Sequence, residues 1–210
     1  MKRFVIAAVV SASIIGCAGS QAAPKEDANP TEQAQAEKPM PQLTPEEMMQ
    51  KMVEAGTPGK EHAALTPLVG RWKTTTKWYQ EPGKAPTVDK GTATHTWIFG
   101  KRFIKQDFNG KWAGRKFQGT GLLGYDNVKK AYISTWTDNM STTIATAEGT
   151  FDAATRSLQL TSKFSCPITG GENSARSVTR IVNDKEHVFE MFGPGPDGKE
   201  FKMMEITYKK

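Results

Sequence analysis

The stretch GRWKTTTKWY at residues 70–79 carries the pattern that decides the fold. Its side chains alternate between two faces. One face holds Trp72, Thr74, Thr76 and Trp78, and the other holds Arg71, Lys73, Thr75 and Lys77. A period of two is typical of a half-buried strand, because successive side chains point to opposite sides of a sheet. We therefore predict a strand over Arg71–Tyr79 with its tryptophans on the buried face.

The same alternation recurs along the rest of the chain, between short turns rich in Gly, Asn and Asp. We predict the further strands at Thr92–Phe99, Arg102–Asn109, Arg115–Gly124, Ala131–Thr137, Ile144–Phe151, Ser157–Ser165, Arg176–Val182, His187–Phe192 and Glu200–Tyr208. Short connections favour antiparallel neighbours. A sheet of about ten strands has to close or fold over to protect its edges. The predicted fold class is all-β, an antiparallel up-and-down barrel, with a sandwich as the alternative.

Helix signals stand ahead of the strands. Thr44 is placed to cap a helix, Pro45 suits its first turn, and Glu47 completes a capping box. Four apolar side chains then share one face: Met48, Met49, Met52 and Val53. We expect this helix to pack as a lid on the sheet, with a promiscuous binding face as the alternative. A second short helix is predicted over Lys60–Leu65.

The N-terminus has the features of a secretory signal. Lys2 and Arg3 precede the apolar run Phe4–Ile15, which is shorter than the roughly 20 residues that cross a bilayer. A small residue and then Cys17 follow, so the segment resembles a bacterial lipoprotein signal. That resemblance implies acylation of Cys17, palmitate included, and an outer-membrane protein that faces the periplasm. An ordinary signal cleaved nearby is the alternative.

Four segments follow from these patterns. Residues 1–16 are the predicted lipoprotein signal, and residues 17–43, rich in Ala, Gln, Pro and Glu, are a flexible tether. Residues 44–69 hold the helices that we expect to pack on the barrel, and residues 70–210 form the barrel itself.

Composition limits the class of protein and its partners. The chain is 37% hydrophobic and 24% charged, which is typical of a globular domain, and two cysteines exclude a disulfide-rich scaffold. The net charge of +6 is dispersed, as in Lys73 and Lys77, and fits solvated strand faces. We predict no nucleic-acid partner. The predicted partners are the membrane, through the lipid anchor, and a small ligand.

No motif indicates a reaction. Residues 119–124 match G-x-G-x-x-G, but a phosphate loop has to lead from a strand into a helix, and these glycines lie within a predicted strand. The histidines, His62, His95 and His187, have no metal-ligand spacing, and we expect buried structural residues rather than ligands of haem or a metal. We predict no catalytic residue, metal or cofactor. A hydrolase or isomerase that uses His95 or His187 is the less favoured alternative.

Candidate binding residues lie on the apolar faces of the strands. We predict a ligand site lined by Trp72, Trp78, His95, Trp97, Phe99 and Arg180. If Arg180 points inward beside a carboxylate, it can fix a ligand head group, and the alternative is that it faces solvent. The leading hypothesis is a non-catalytic envelope protein that binds a small apolar or amphipathic molecule. The alternative is a filled barrel whose outer surface binds a protein partner.

Several segments also resemble known families. Gly70-Arg71-Trp72 is similar to the Gly-x-Trp opening of lipocalins. The segments GLLGYDN at 121–127, STWTDNM at 134–140 and FEMFGPGPDGKEF at 189–201 together resemble the bacterial domain-of-unknown-function family 1579. The resemblance covers about His62 to Lys209. It implies a lipocalin- or calycin-like barrel with no established activity, and it supplies no catalytic residues.

Overall fold

The structure is a computed structural model that describes residues 41–166, 170–195 and 197–210. The predicted signal, the lipid attachment site Cys17 and most of the predicted tether lie outside the described residues.

The first helix, α1 (Pro45–Gly56), has the predicted bounds and cap. The backbone N–H of Glu47 donates to Thr44 Oγ1 over 3.2 Å, and the backbone N–H of Thr44 donates to Glu47 Oε2 over 2.8 Å. The helix buries none of its residues. Its apolar side chains are 46–69% exposed: Met48, Met49, Met52 and Val53. The expectation that this helix is a packed lid is therefore wrong.

The second helix, α2 (Lys60–Ala64), and the 3-10 turn Thr66–Leu68 do pack on the barrel. Leu65 and Leu68 are almost fully buried, at 0% and 1% exposure. They join a core cluster whose other members come from the strands: Ile104, Leu123, Tyr132, Leu158, Leu160 and Ile181. This short segment covers one end of the barrel, which we call the closed end.

Ten strands of the described residues form one closed antiparallel barrel. Their bounds are β1 (Gly70–Trp78), β2 (Thr87–Ile98), β3 (Phe103–Trp112), β4 (Arg115–Asp126), β5 (Ala131–Asp138), β6 (Ala145–Asp152), β7 (Ser157–Ser165), β8 (Glu172–Asn183), β9 (Glu186–Pro194) and β10 (Glu200–Lys209). Each strand pairs with the next along the chain, and β1 pairs with β10. The predicted all-β, up-and-down barrel is confirmed.

Strand ends differ from the prediction, most of all at the start of β2, at the end of β3 and at the start of β8, which begins at Glu172 rather than Arg176. Strand β2 begins at Thr87, ahead of the predicted Thr92, and ends before Phe99, which adopts a φ of 49° in the following turn. Strand β3 continues beyond its predicted end at Asn109, and the chain reverses at Ala113 and Gly114, whose φ values are 49° and 79°. Two consecutive positive φ angles are what a tight two-residue hairpin requires.

Glycines in β4 make room for a large ring. A Cβ atom on Gly119 or Gly121 would collide with the indole of Trp136, which packs across both residues from β5. Glycine inside a strand commonly marks such a close approach. The glycines of the G-x-G-x-x-G match thus make room for the Trp136 ring in the barrel packing.

Candidate ligand site inside the barrel

Register defines which side chains face the interior. Residues paired across adjacent strands lie on the same face of the sheet. Thr74 of β1 pairs with Tyr208, which pairs with His187, which pairs with Ile181. All four side chains are buried. This row, together with the alternate residues of each strand, lines the inside of the barrel.

An aromatic cluster fills the interior near the closed end. The ring of His187 stacks on Tyr208 with centroids 4.2 Å apart and meets the edge of Trp72 at 4.4 Å. His95 lies 5.7 Å from His187. The Lys210 ammonium sits 4.5 Å from the Trp72 ring centroid. These contacts bring two predicted site residues, Trp72 and His95, together with Tyr208, which the sequence reasoning did not select.

A single carbonyl fixes two of these rings. Trp72 Nε1 donates to the carbonyl oxygen of Leu68 over 3.0 Å, and His95 Nδ1 lies 2.9 Å from the same oxygen. A carbonyl only accepts, so His95 carries its proton on Nδ1. The Nε2 atom of the neutral ring is therefore a hydrogen-bond acceptor. The 3-10 turn thus sets both the orientation and the tautomer of His95.

Burial keeps this cluster uncharged at neutral pH. It lowers the pKa of His95 to about 4 and, with added repulsion from His95 and Lys210, lowers the pKa of His187 to about 3. Burial also raises the pKa of the Tyr208 hydroxyl well above its usual range. Two neutral imidazoles and a neutral phenol offer hydrogen bonds without charge.

Five buried polar atoms of the described residues have no hydrogen-bond partner. They are Thr74 Oγ1, Trp78 Nε1, Asp89 Oδ2, Trp97 Nε1 and His187 Nδ1. All five belong to inward-facing positions, and four of them lie on the paired strands β1 and β2. More than nine in ten buried polar groups in proteins are hydrogen-bonded. One wall of the interior is therefore lined by donors and acceptors that no described residue satisfies.

At the end of the barrel opposite α2, which we call the far end, the interior is again aromatic. The rings of Trp78 and Trp112 meet edge to face with centroids 6.4 Å apart. Asp89 faces the same side, because it pairs with Thr76 and stands diagonally across from Trp78. Trp78, Asp89 and Trp112 are each partly exposed. The far end thus presents two indoles and a carboxylate.

Two predicted site residues lie away from the interior. Phe99 occupies the β2–β3 turn and is 72% exposed. Arg180 is on the outer face, where its guanidinium donates to Glu190 over 3.1 Å. The inward contact that we considered for Arg180 is not formed, and the alternative, a solvent-facing side chain, describes the structure. Alternation along β8 places Thr179 inward and so directs Arg180 outward.

Several interior residues were not selected for the ligand site from the sequence, among them Thr74, Asp89, Trp112, His187 and Tyr208. Asp89 and Trp112 lie in strand segments that the prediction omitted. Extending the period of two back from Ala93 would have found Asp89. For Thr74 and Tyr208, the alternation gives the correct face, but only the pairing of β1 with β10 shows that they are neighbours.

Other features of the described chain do not form a site of this kind. A shallow depression of about 490 Å³ lies on the outside, between the β8–β9 turn and the C-terminus, and is lined by polar and charged residues. Within residues 41–166, 170–195 and 197–210, no three His, Cys, Asp or Glu side chains are arranged to hold a metal ion. No helix in the described ranges is long and apolar enough to cross a membrane.

Comparisons with known proteins agree with this architecture. A family model described as "Protein of unknown function (DUF1579)" matches residues 57–210. The crystal structure of Rv2717c from M. tuberculosis is similar, with a TM-score of 0.55 and 15% sequence identity, over 73% of this chain and 99% of that one. At this identity the likeness shows the fold alone. Among curated proteins, none matches this chain.

Proposed function

We propose that this chain, which belongs to the DUF1579 family of proteins of unknown function, is a non-catalytic binder that holds a small amphipathic molecule inside its barrel. The observation that carries the proposal is the set of five unpartnered polar atoms on inward-facing positions. Each unsatisfied buried donor or acceptor costs about 1–3 kcal/mol. A molecule inside the barrel that supplies the missing partners offsets that cost.

The rest of the wall suits the apolar part of such a molecule. Trp72, Phe108, Ile206 and Tyr208 belong to one buried cluster inside the barrel. Ligand pockets are generally apolar and aromatic, with a few polar groups that fix orientation. An amphipathic molecule, rather than a pure hydrocarbon, is favoured because the unpartnered atoms call for polar groups.

We also propose the location that the N-terminal pattern indicates. In this account, Cys17 carries the lipid, residues 18–43 serve as the tether, and the barrel is held at the periplasmic side of the outer membrane. The support is the basic start, the short apolar run and the cysteine that follows them. Metabolic labelling with a palmitate analogue, compared between the natural chain and Cys17→Ser, tests this proposal. Label retained by the variant would contradict it.

A matched pair of variants tests the interior site. Thr74 and Thr75 are neighbours on β1 that face the inside and the outside of the barrel. N-phenyl-1-naphthylamine is a fluorescent amphipathic probe that brightens in apolar surroundings. We expect it to bind the natural chain and Thr75→Val equally, and Thr74→Val several-fold more weakly, because only the last loses a hydroxyl that faces the ligand. Absence of probe binding, or equal binding by both variants, would contradict the proposal.

The second candidate function is a barrel whose interior is filled by its own side chains and whose outer surface binds a protein partner. The exposed apolar face of α1, from Met48 to Val53, favours it, because methionine side chains adapt to varied partners. The two candidates differ in what co-purifies with the chain. The first predicts a small molecule, and the second predicts a protein.

A further inference from the structure

We propose that the far end of the barrel is a recognition site for an organic cation, a substituted ammonium head group held by Asp89, Trp78 and Trp112. This inference rests on the proposed function, because the site is one end of the same interior. It adds the chemical class of the ligand and states that the head group of the ligand lies at the far end of the barrel.

Asp89 is the acceptor in this site. Its Oδ2 atom is buried and has no hydrogen-bond partner, and no ion pair of Asp89 is formed among the described residues. Two other carboxylates of low exposure, Glu190 and Glu205, each contact the Lys202 ammonium, at 3.0 Å and 2.6 Å. A carboxylate oxygen withdrawn from water without a partner is costly, so Asp89 calls for a donor from outside the chain.

The two indoles decide which kind of donor fits. Trp78 is on the same face of β1 as Thr76, the register partner of Asp89, and its ring meets that of Trp112. The faces of indole rings attract cations, and they do so most strongly where water is excluded. A neutral donor satisfies the carboxylate but gains nothing from the rings, and an anion is repelled by the carboxylate. A carboxylate beside two tryptophans therefore favours an ammonium group.

The cations in the described part of the chain do not pair with Asp89. On β1 and β2 every lysine and arginine falls on the outward face by alternation: Arg71, Lys73, Lys77 and Lys90. Arg115, the register partner of Trp112, is exposed at the rim. Lys210 lies over Trp72, near the closed end. Within the described residues, no internal cation is thus paired with Asp89.

The rest of the wall sets the direction of the ligand. Moving inward along β1 from Trp78, the next inward residues are Thr76, Thr74 and Trp72, which lead to the apolar cluster with Phe108 and Ile206. A single-chain alkylammonium would place its head at Asp89 and its chain along this row. The ligand class is a cationic amphiphile.

Three amphiphiles with the same chain and different heads test the inference. Octylammonium, octyl sulfate and octyl glucoside are titrated into the whole chain below their micelle concentrations, with tryptophan fluorescence and calorimetry as readouts. We expect the cation to bind at least about tenfold more tightly than the sulfate, with the glucoside between them. Sulfate binding equal to or tighter than the ammonium would overturn the inference.

Variants separate the head-group site from the rest of the interior. Asp89→Asn keeps the shape and is expected to lose about tenfold in affinity for the ammonium only. Asp107→Asn is the matched control, because Asp107 faces outward on β3 and pairs with Lys105 at 3.0 Å. Trp112→Leu, with glucoside binding retained as the sign of an intact interior, tests the ring independently. Unchanged ammonium binding in both Asp89→Asn and Trp112→Leu would overturn the inference.

The same titrations distinguish this inference from the proposed function. If none of the three amphiphiles binds, the claim of an interior site fails along with the claim about the head group. If all three bind equally, the interior site stands and the cation site is overturned.

Discussion

At the scale of single residues, His95 and His187 make folding stability depend on pH. In the unfolded chain both imidazoles titrate near 6.5, whereas burial holds their folded pKa values at about 4 and about 3. Between pH 6.5 and the folded pKa values, the unfolded chain binds more protons than the folded chain does. The stabilisation is therefore fully present above about pH 6.5 and is lost as the pH falls toward the folded pKa values. The displaced pKa of His95 alone corresponds to roughly 3 kcal/mol.

Urea unfolding between pH 7 and pH 4 measures this effect. We expect the free energy of unfolding to fall across that range and the fall to shrink in the double variant His95→Gln, His187→Gln. His62→Gln is a weaker control, because burial also lowers the pKa of His62. An identical pH dependence in the natural chain and the double variant would contradict the assignment.

The place of Asp89 inside a strand was not predicted from its local sequence. The segment from Thr87 to Gly91 has few residues that favour strands, so pattern alone placed the strand start at Thr92. Pairing with β1 extends the strand in spite of that composition. The residue that defines the proposed head-group site was thus hidden by a tertiary effect, whereas Trp72, Trp78, His95 and Trp97 followed from alternation.

At the scale of elements, helix α1 shows that a sequence pattern can predict where a helix begins and ends without predicting what it packs against. Its cap and bounds follow from Thr44, Pro45 and Glu47, and they agree with the prediction. A stripe of apolar side chains indicates that a helix has an apolar face, but not what covers it. Here Asn127 Nδ2, in the turn after β4, donates to the carbonyl oxygens of Ala55 and Thr57 at the end of α1 over 2.9 Å and 2.8 Å.

Substitutions on α1 and on the closed end are expected to differ sharply in cost. Met49→Gln and Met52→Gln should each change the free energy of unfolding by less than about 0.5 kcal/mol, because both side chains are exposed. Leu68→Ala should cost about 2–5 kcal/mol, because Leu68 is 1% exposed in the core cluster. Chemical denaturation measures both. A cost above 2 kcal/mol for the methionine variants would show that α1 packs on the barrel.

The glycines of β4 give a second prediction for an element. Gly119→Ala should destabilise the barrel by about 1–3 kcal/mol, because the added methyl group would overlap the Trp136 indole. Gly171→Ala is the matched control, since a Cβ atom there meets nothing within 4 Å. Thermal unfolding compares the two. Equal stability of both variants would contradict the packing of Trp136 across β4.

At the scale of the whole molecule, the sequence predicts the class of fold more securely than the contents of the barrel. Ten alternating segments with short turns lead to an antiparallel meander, and the need to protect its edges leads to closure. The partners of β1 and β10 are far apart in the chain, so the row from Thr74 to His187 depends on register that no local pattern specifies. Which polar atoms face the interior without a partner therefore depends on how the barrel closes.

Native mass spectrometry of the whole chain, exported to the periplasm and purified gently, tests the central claim most directly. The barrel interior contains buried polar atoms that the described chain does not satisfy, so we predict a non-covalent small-molecule adduct that is lost on denaturation. The mass of the adduct would identify its chemical class. A bare chain mass under the gentlest conditions would contradict the account and favour a filled barrel that acts through its outer surface.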